Sequence, residues 1–111
     1  MVAFYRALGF DVAEHPAVVS VYVGNQMINL HRPEIWQRKG FTLRARNASP
    51  PCGDLCFVWE GSSESLHAAL AGAGAEIVEG PVARQGGRRT EATSVYVRDP
   101  DGNLLEFMIY P

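Results

Sequence analysis

The stretch that decides the fold lies near the end of the chain, where residues Ser94 to Ile109 read SVYVRDPDGNLLEFMI. Two runs rich in β-branched, aromatic and aliphatic residues flank Asp-Pro-Asp-Gly, a combination typical of a tight turn between strands. The second strand is apolar except for Glu106. A carboxylate in an apolar strand is unfavourable unless a metal, a cation or hydrogen bonds compensate it, so Glu106 is the first candidate functional residue.

Composition restricts the classes of protein to consider. The chain has 111 residues, of which 47% are hydrophobic, and this length is enough for one domain with its own core. The formal net charge of -2 gives no indication of a nucleic acid or an anionic membrane as partner. No apolar run approaches the roughly 18–20 residues that span a bilayer. Two cysteines do not make a disulfide framework, and free thiols favour a cytoplasmic location.

The first third of the chain reads as a helix followed by three strands. The helix contains Phe4 and Leu8 and stops at Gly9, and Gly24-Asn25 is a hairpin signal. The predicted strands are Phe10–Glu14, Val18–Val23 and Gln26–His31. Alternation in the third strand places Met27, Asn29 and His31 on one face.

The rest of the chain predicts a link and a second unit. The link, residues 33–52, contains three prolines and one glycine, with one helical turn around Ile35-Trp36. The predicted elements after it are a strand Asp54–Glu60, a helix capped by Ser62 or Ser63 and ending near Gly72, a strand Glu76–Val78, a mobile loop Arg84–Arg89 and the closing hairpin. This β-α-β-β-β order, residues 53–111, matches residues 1–32 without an opening strand, so the sequence predicts an internal repeat within one domain, 1–111.

These segments resemble the vicinal-oxygen-chelate superfamily, which includes glyoxalase I, extradiol dioxygenases and bleomycin-binding proteins. The resemblance is carried by Phe4–Phe10, Gln26–His31, Gly80–Arg84 and Ser94–Glu106, and it is nearest to small glyoxalase-domain-containing proteins. It implies an α+β fold of two βαβββ modules whose mixed sheet curls around a cavity, with the opening strand of the first module lacking. An upstream segment or another chain is expected to supply that strand.

The resemblance also implies positions for metal ligands, because metal-using members bind through the first and last strands of each module. Glu106 falls on the last-strand position of the second module, and Asp54 falls where a histidine is usual. Asn29 falls near the last-strand position of the first module, with His31 two residues on. The resemblance thus implies Glu106, His31 and Asp54 as the ligands of a divalent metal, if one is bound, and with so few nitrogen donors a transition metal would be held weakly.

Other residues are candidates for contact with a ligand. Cys56 shares a strand face with Asp54, and Met108 shares a face with Glu106. Trp36 and Tyr96 offer aromatic surfaces for a planar molecule. The predicted ligand-binding residues are thus Asn29, Trp36, Asp54, Cys56, Tyr96 and Met108, with Glu106 and His31 as catalytic candidates. The polar candidates have simpler interpretations: Glu106 and His31 reach solvent at a sheet edge and a strand end, and Asp54 caps a turn. Cys56 is then a buried small hydrophobic residue.

Two functions remain open at this point. The first is a protein that binds a drug-like or aromatic small molecule in its cavity without a certain cofactor. The second is a divalent-metal-dependent enzyme, of the lyase, isomerase or dioxygenase type, that uses Glu106. The weak donor set favours the first. The missing opening strand leaves an unpaired sheet edge, which also predicts a homodimer.

Overall fold

The chain forms seven strands and three helices, and the strands are arranged in two sheets. The structure is a computed structural model that describes all residues, 1–111. In chain order the elements are α1 (Val2–Ala7), β1 (Asp11–Glu14), β2 (Val18–Val23), β3 (Gln26–His31), α2 (Pro33–Trp36), β4 (Asp54–Val58), α3 (Ser63–Gly72), β5 (Ile77–Gln85), β6 (Glu91–Arg98) and β7 (Leu104–Ile109). The α+β class and its order of elements are confirmed.

The two sheets differ by one strand. The first is antiparallel and has the order β1-β2-β3, whereas the second has the order β4-β7-β6-β5. In the second sheet β4 runs parallel to β7, and the other pairs are antiparallel, so this sheet is mixed as expected. The parallel pair is connected through α3 and the two intervening strands. As a result β7 lies between two neighbours, while β3 pairs only with β2.

One continuous core joins both sheets and two of the helices. Helix α3 is capped by Ser62, one of the two caps that the sequence predicts. The Ser62 hydroxyl accepts a hydrogen bond from the backbone N–H of Ser65 at 3.1 Å. The buried stripe of the helix, Leu66 and Leu70, meets the apolar faces of the sheets. The buried members of the core are Phe4, Tyr5, Leu8, Val12, Val19, Val21, Phe57, Leu66, Leu70, Val95, Val97, Leu105 and Phe107. The side chains on the opposite face of each sheet are not part of this core.

The turn of the closing hairpin is tied to α1 by a buried carboxylate. Asp99 accepts a hydrogen bond from the Tyr5 hydroxyl at 2.7 Å, and it also accepts from the backbone and side chain of Asn103. Asn103 in turn accepts from the backbone N–H groups of Cys52 and Gly53 at 3.1 and 2.9 Å. This network connects the first helix, the hairpin turn and the end of the link. Burial, followed by the hydrogen bond with Asp99, raises the pKa of Tyr5.

Strand β5 is longer than the sequence indicated. It continues from Ile77 to Gln85 instead of ending at Val78, so Arg84 lies in a strand and the loop begins at Gly86. The pairing of β5 with β6 shifts register around Gly80 and Pro81. Gly80 has φ +109°, and a Cβ there would collide with the Ser94 carbonyl, so glycine lets the two strands approach. A proline inside an edge strand obscured this continuity in the sequence.

The helices are short. The longest, α3, has 10 residues. None of the three is long and apolar enough to cross a membrane.

Candidate functional site

Polar side chains form one line across the second sheet, on the face opposite the core. Cys56 on β4 is paired with Glu106 on β7, and Glu106 is paired with Tyr96 on β6. Tyr96 is paired in turn with Glu79 on β5. Because paired residues point to the same side of a sheet, these four side chains lie next to one another. We call Cys56, Glu106, Tyr96 and Glu79 the cross-sheet row.

Hydrogen bonds and charges connect the members of the row. The Tyr96 hydroxyl donates to Glu106 Oε1 at 2.8 Å. At the far end, Arg84 forms an ion pair with Glu79 at 2.9 Å, and its guanidinium carbon lies 5.9 Å from the centre of the Tyr96 ring. Glu106 and Tyr96 are half-buried, whereas Cys56 is exposed. The compensation for the carboxylate in the apolar strand is therefore a phenol hydroxyl.

Two groups of the row are held in their protonated forms. Partial desolvation of the thiol, and then the neighbouring Glu106 carboxylate, raise the pKa of Cys56 to about 11. Desolvation and the hydrogen bond to Glu106 also raise the pKa of Tyr96, while Arg84 opposes this shift. Since a thiol with a raised pKa is a poor nucleophile, the row is suited to hydrogen bonding and not to thiolate chemistry.

Apolar neighbours flank the row on the same face. Val58 is exposed at the end of β4, and Leu104 is half-buried at the start of β7. Asp54, a predicted ligand residue, is exposed at the start of β4 and pairs with Leu104. Met108 lies on this face but is fully buried, with its sulfur 3.9 Å from the Tyr110 hydroxyl. In this chain Met108 therefore offers no surface to a ligand.

The first sheet holds the other predicted residues. The Ser20 hydroxyl donates to Asn29 Oδ1 at 3.1 Å, which orients the amide on the face opposite the core. His31 shares that face, and the centre of its ring lies 5.5 Å from that of Phe41 in the link. Its Nδ1 is buried and has no hydrogen-bond partner. Trp36 ends the short helix α2 and is half-buried.

These positions do not fit a metal centre built from one chain. The expected donors are His31, Asp54 and Glu106, yet no three side chains of His, Cys, Asp or Glu are placed together to hold a metal ion. The Glu106 carboxylate is engaged by a phenol, and His31 lies against the link. The structure thus unites Cys56, Tyr96 and Glu106 but does not unite His31 with them.

The sequence does not indicate two contacts, one in the candidate site and one in the fold. The bond between Tyr96 and Glu106 follows from the register of the closing hairpin, in which Arg98 is paired with Leu104 and each step outward pairs the next residues. Counting outward from the predicted turn would have found it. The role of Asp99 depends on Tyr5, which is 94 residues away, and no local pattern indicates that contact.

Comparisons with known proteins show which family the chain is related to. No protein-family model matches it. The chain is 38% identical over 108 residues to the glyoxalase domain-containing protein RDO1 of Mycosarcoma maydis, a match that covers 96% of the chain and 58% of that protein. The chain belongs to the vicinal-oxygen-chelate superfamily.

Two further relatives of this superfamily member are similar over most of its length. The virulence protein STM3117 of Salmonella typhimurium is 41% identical over 87 residues, which cover 78% of the chain and 57% of that protein. The solved structure of the integron cassette protein VCH_CASS1 from the mobile metagenome of V. cholerae has a TM-score of 0.84 and 34% identity. The match covers 99% of this chain and 84% of the cassette protein. The chain spans less than two thirds of the length of the two curated relatives.

Proposed function

We propose that this superfamily member binds a small planar molecule on the face of the second sheet that carries the cross-sheet row. The observation that carries the proposal is the half-buried pair formed by Tyr96 and Glu106, with the hydroxyl 2.8 Å from the carboxylate. A carboxylate held in this way keeps a second oxygen for a donor on a ligand. Such pairs of fixed polar groups on an apolar surface orient small molecules in binding sites.

The neighbours of the pair support an aromatic or drug-like ligand. Val58 and Leu104 provide apolar contact, and the Tyr96 ring provides a flat surface next to the carboxylate. Cys56 adds a protonated thiol, which is a weak donor. The ligand expected here has a flat apolar body and at least one hydrogen-bond donor for Glu106.

The experiment is a calorimetric titration with 2-naphthol, a neutral planar probe with one hydroxyl donor. Glu106→Gln replaces the carboxylate by an amide of the same shape and should weaken binding about tenfold, since a charge-assisted hydrogen bond becomes a neutral one. Tyr96→Phe removes the group that orients the carboxylate and should weaken binding several-fold. Tyr22→Phe is the matched control, because Tyr22 is exposed on the first sheet, and it should leave the affinity unchanged.

Equal affinity of the wild type and the Glu106→Gln variant for 2-naphthol would contradict the proposed site. A different result would favour the metal-dependent enzyme: one Ni²⁺ or Zn²⁺ bound tightly per chain, with binding lost in Glu106→Gln. Elemental analysis of the metal-loaded wild type and variant separates these outcomes.

We also propose that two copies of the chain associate as a homodimer through the first sheet. Strand β3 has a free edge, and Met27 on it is 49% exposed. The molecule is elongated, with extents of 46 × 27 × 27 Å. An open strand edge with exposed apolar side chains favours pairing with another chain.

Sedimentation velocity tests the dimer. The wild type should sediment as a dimer, and Met27→Lys should shift it towards monomer because a charge would be buried in the interface. Val78→Lys is the control, since Val78 is 52% exposed on β5 in the other sheet. A wild type that stays monomeric at high concentration would exclude this association.

A further inference from the structure

The link carries a concentration of positive charge that the rest of the chain does not neutralise. Residues 33–52 contain four cationic side chains and one acid, Glu34, whereas the remaining residues contain six cations and eleven acids. The three ion pairs of the structure use Arg6, Arg32 and Arg84, so none involves a cation of the link. An unpaired basic segment in an acidic chain attracts anions.

A cavity lies at the centre of this basic segment. It has a volume of about 430 Å³ and is lined by Phe41, Thr42, Arg44 and Arg46. This volume is within the range of about 300–1,000 Å³ that is usual for sites of small molecules. Two arginines, one threonine and one phenylalanine thus line a single space.

The Arg44 guanidinium is fixed in position by its own loop. Its Nε donates to the Phe41 carbonyl at 3.2 Å, and its Nη1 donates to the carbonyls of Ala45 and Arg46 at 3.3 and 3.5 Å. Since a guanidinium has five N–H donors, its Nη2 group remains for another acceptor. A donor that is already oriented loses little conformational freedom when it binds an anion.

One lining residue of the cavity, Phe41, also contacts the end of β3. The Phe41 ring packs against the His31 ring, with 5.5 Å between ring centres. The buried Nδ1 of His31 has no hydrogen-bond partner in the chain. A buried polar atom without a partner is a position where a bound water, ion or ligand is expected.

We propose that this cavity binds the oxyanion of a small organic molecule, a carboxylate or a phosphate ester, through Arg44 and Arg46. Phe41 contacts the apolar part of the same molecule, and Thr42 offers a further hydroxyl. The site is separate from the cross-sheet row, because its side chains come from the link and contact the first sheet through His31. The proposed anion site can therefore be tested independently of the proposed binding of neutral planar molecules.

The experiment measures the affinity of the full chain for phenyl phosphate by calorimetry at 0.15 M salt, with benzoate, inorganic phosphate and phenol as comparison ligands. Phenyl phosphate should bind more tightly than phosphate or phenol, because it uses both the guanidinium groups and Phe41. Arg46→Gln should weaken phenyl phosphate binding about tenfold, as expected for one charge-assisted hydrogen bond, and Arg44→Gln by at least as much. Benzoate tests whether a carboxylate replaces the phosphate.

Arg38→Gln is the matched control, since Arg38 carries the same charge in the same segment but does not line the cavity. It should change the affinity less than twofold. Arg46→Gln removes no hydrogen bond within the chain, so its effect is separable from folding, and a thermal melt of each variant checks this. Equal weakening by all three variants would show general attraction to a basic surface and would overturn the proposal.

Two other outcomes are also decisive. Absence of saturable binding by both phenyl phosphate and benzoate would overturn the site. If Tyr96→Phe weakens phenyl phosphate binding as strongly as Arg46→Gln, the anion occupies the cross-sheet row and the link site is wrong. An unchanged affinity in Tyr96→Phe together with the loss in Arg46→Gln supports two distinct sites.

Discussion

The last strand of the first sheet and the last strand of the second sheet each follow a hairpin turn but have different surroundings. Strand β7 lies between β4 and β6, and three of its residues, Leu105, Phe107 and Met108, are buried. Strand β3 has a partner on one side only, and none of its residues is fully buried. The comparison shows the effect of one added parallel strand: β4 gives β7 a second neighbour, so that β7 is an inner strand and not an edge strand. Burial of a strand in this fold thus depends on its second neighbour as well as on its own apolar pattern.

The largest expected effect that separates the two strands is on stability. Leu105→Ala should lower the free energy of unfolding by about 3 kcal/mol, because the fully buried side chain leaves a cavity that its neighbours cannot fill. Leu30→Ala, the matched change on β3, should lower it by about 1 kcal/mol, since Leu30 is only half-buried. Urea unfolding measures both values. Equal decreases in the free energy of unfolding at the two positions would contradict the proposed difference between β7 and β3.

A second prediction concerns the contact between the first helix and the closing hairpin. Asp99→Ala should lower the free energy of unfolding by about 2–3 kcal/mol, because it leaves the buried Tyr5 hydroxyl without its acceptor and frees the turn. Asp101→Ala in the same turn is exposed and should change stability by less than about 0.5 kcal/mol. Thermal unfolding compares the two variants. If Asp99→Ala left stability unchanged, the first helix and the closing hairpin would be joined by apolar packing alone.

The smallest expected effect is on the reactivity of the thiol beside Glu106. In a Cys52→Ser background, alkylation of Cys56 by iodoacetamide should be slow at pH 8 and should accelerate up to about pH 11, because a raised pKa keeps the thiolate scarce below that value. Glu106→Gln removes a charge that disfavours the thiolate, so it should lower this pKa and increase the rate at pH 8 roughly threefold to tenfold.

Glu79→Gln is the control for this measurement. Glu79 carries the same charge in the cross-sheet row but pairs with Arg84, two strands away from β7. The rate in this variant should stay near that of the parent. Similar acceleration by both variants would mean that overall charge, and not the adjacent carboxylate, controls the thiol.

The sequence predicts most of the local structure because the signals for it are local. The closing hairpin, the Ser62 cap of α3 and the shared face of Asn29 and His31 all follow from turn chemistry, capping and alternation. Alternation likewise places Cys56 and Glu106 on the same side of the second sheet. What these patterns lack is information on which strands become neighbours.

The contacts that the sequence did not predict all depend on distant parts of the chain. Met108 reads as a ligand contact from alternation alone, yet Tyr110 and the loop at Gly86 cover it. His31 reads as a metal ligand by resemblance, yet its ring packs against Phe41 in the link. The same limit applies to Arg84, for which the sequence predicts a loop because Gly80-Pro81 interrupts the pattern of β5. In each case the deciding neighbour comes from another element.

The link is fastened at both of its ends by hydrogen bonds to turns between strands of the two sheets. The Arg32 side chain donates to the His15 carbonyl at 3.2 Å before it, and Asn103 binds the amides of Cys52 and Gly53 after it. Residues between these anchors are free to vary in type and number, since doubling the length of a loop costs only about 0.6 kcal/mol in closure entropy. New ligand preferences can therefore evolve in this segment while the two sheets stay unchanged.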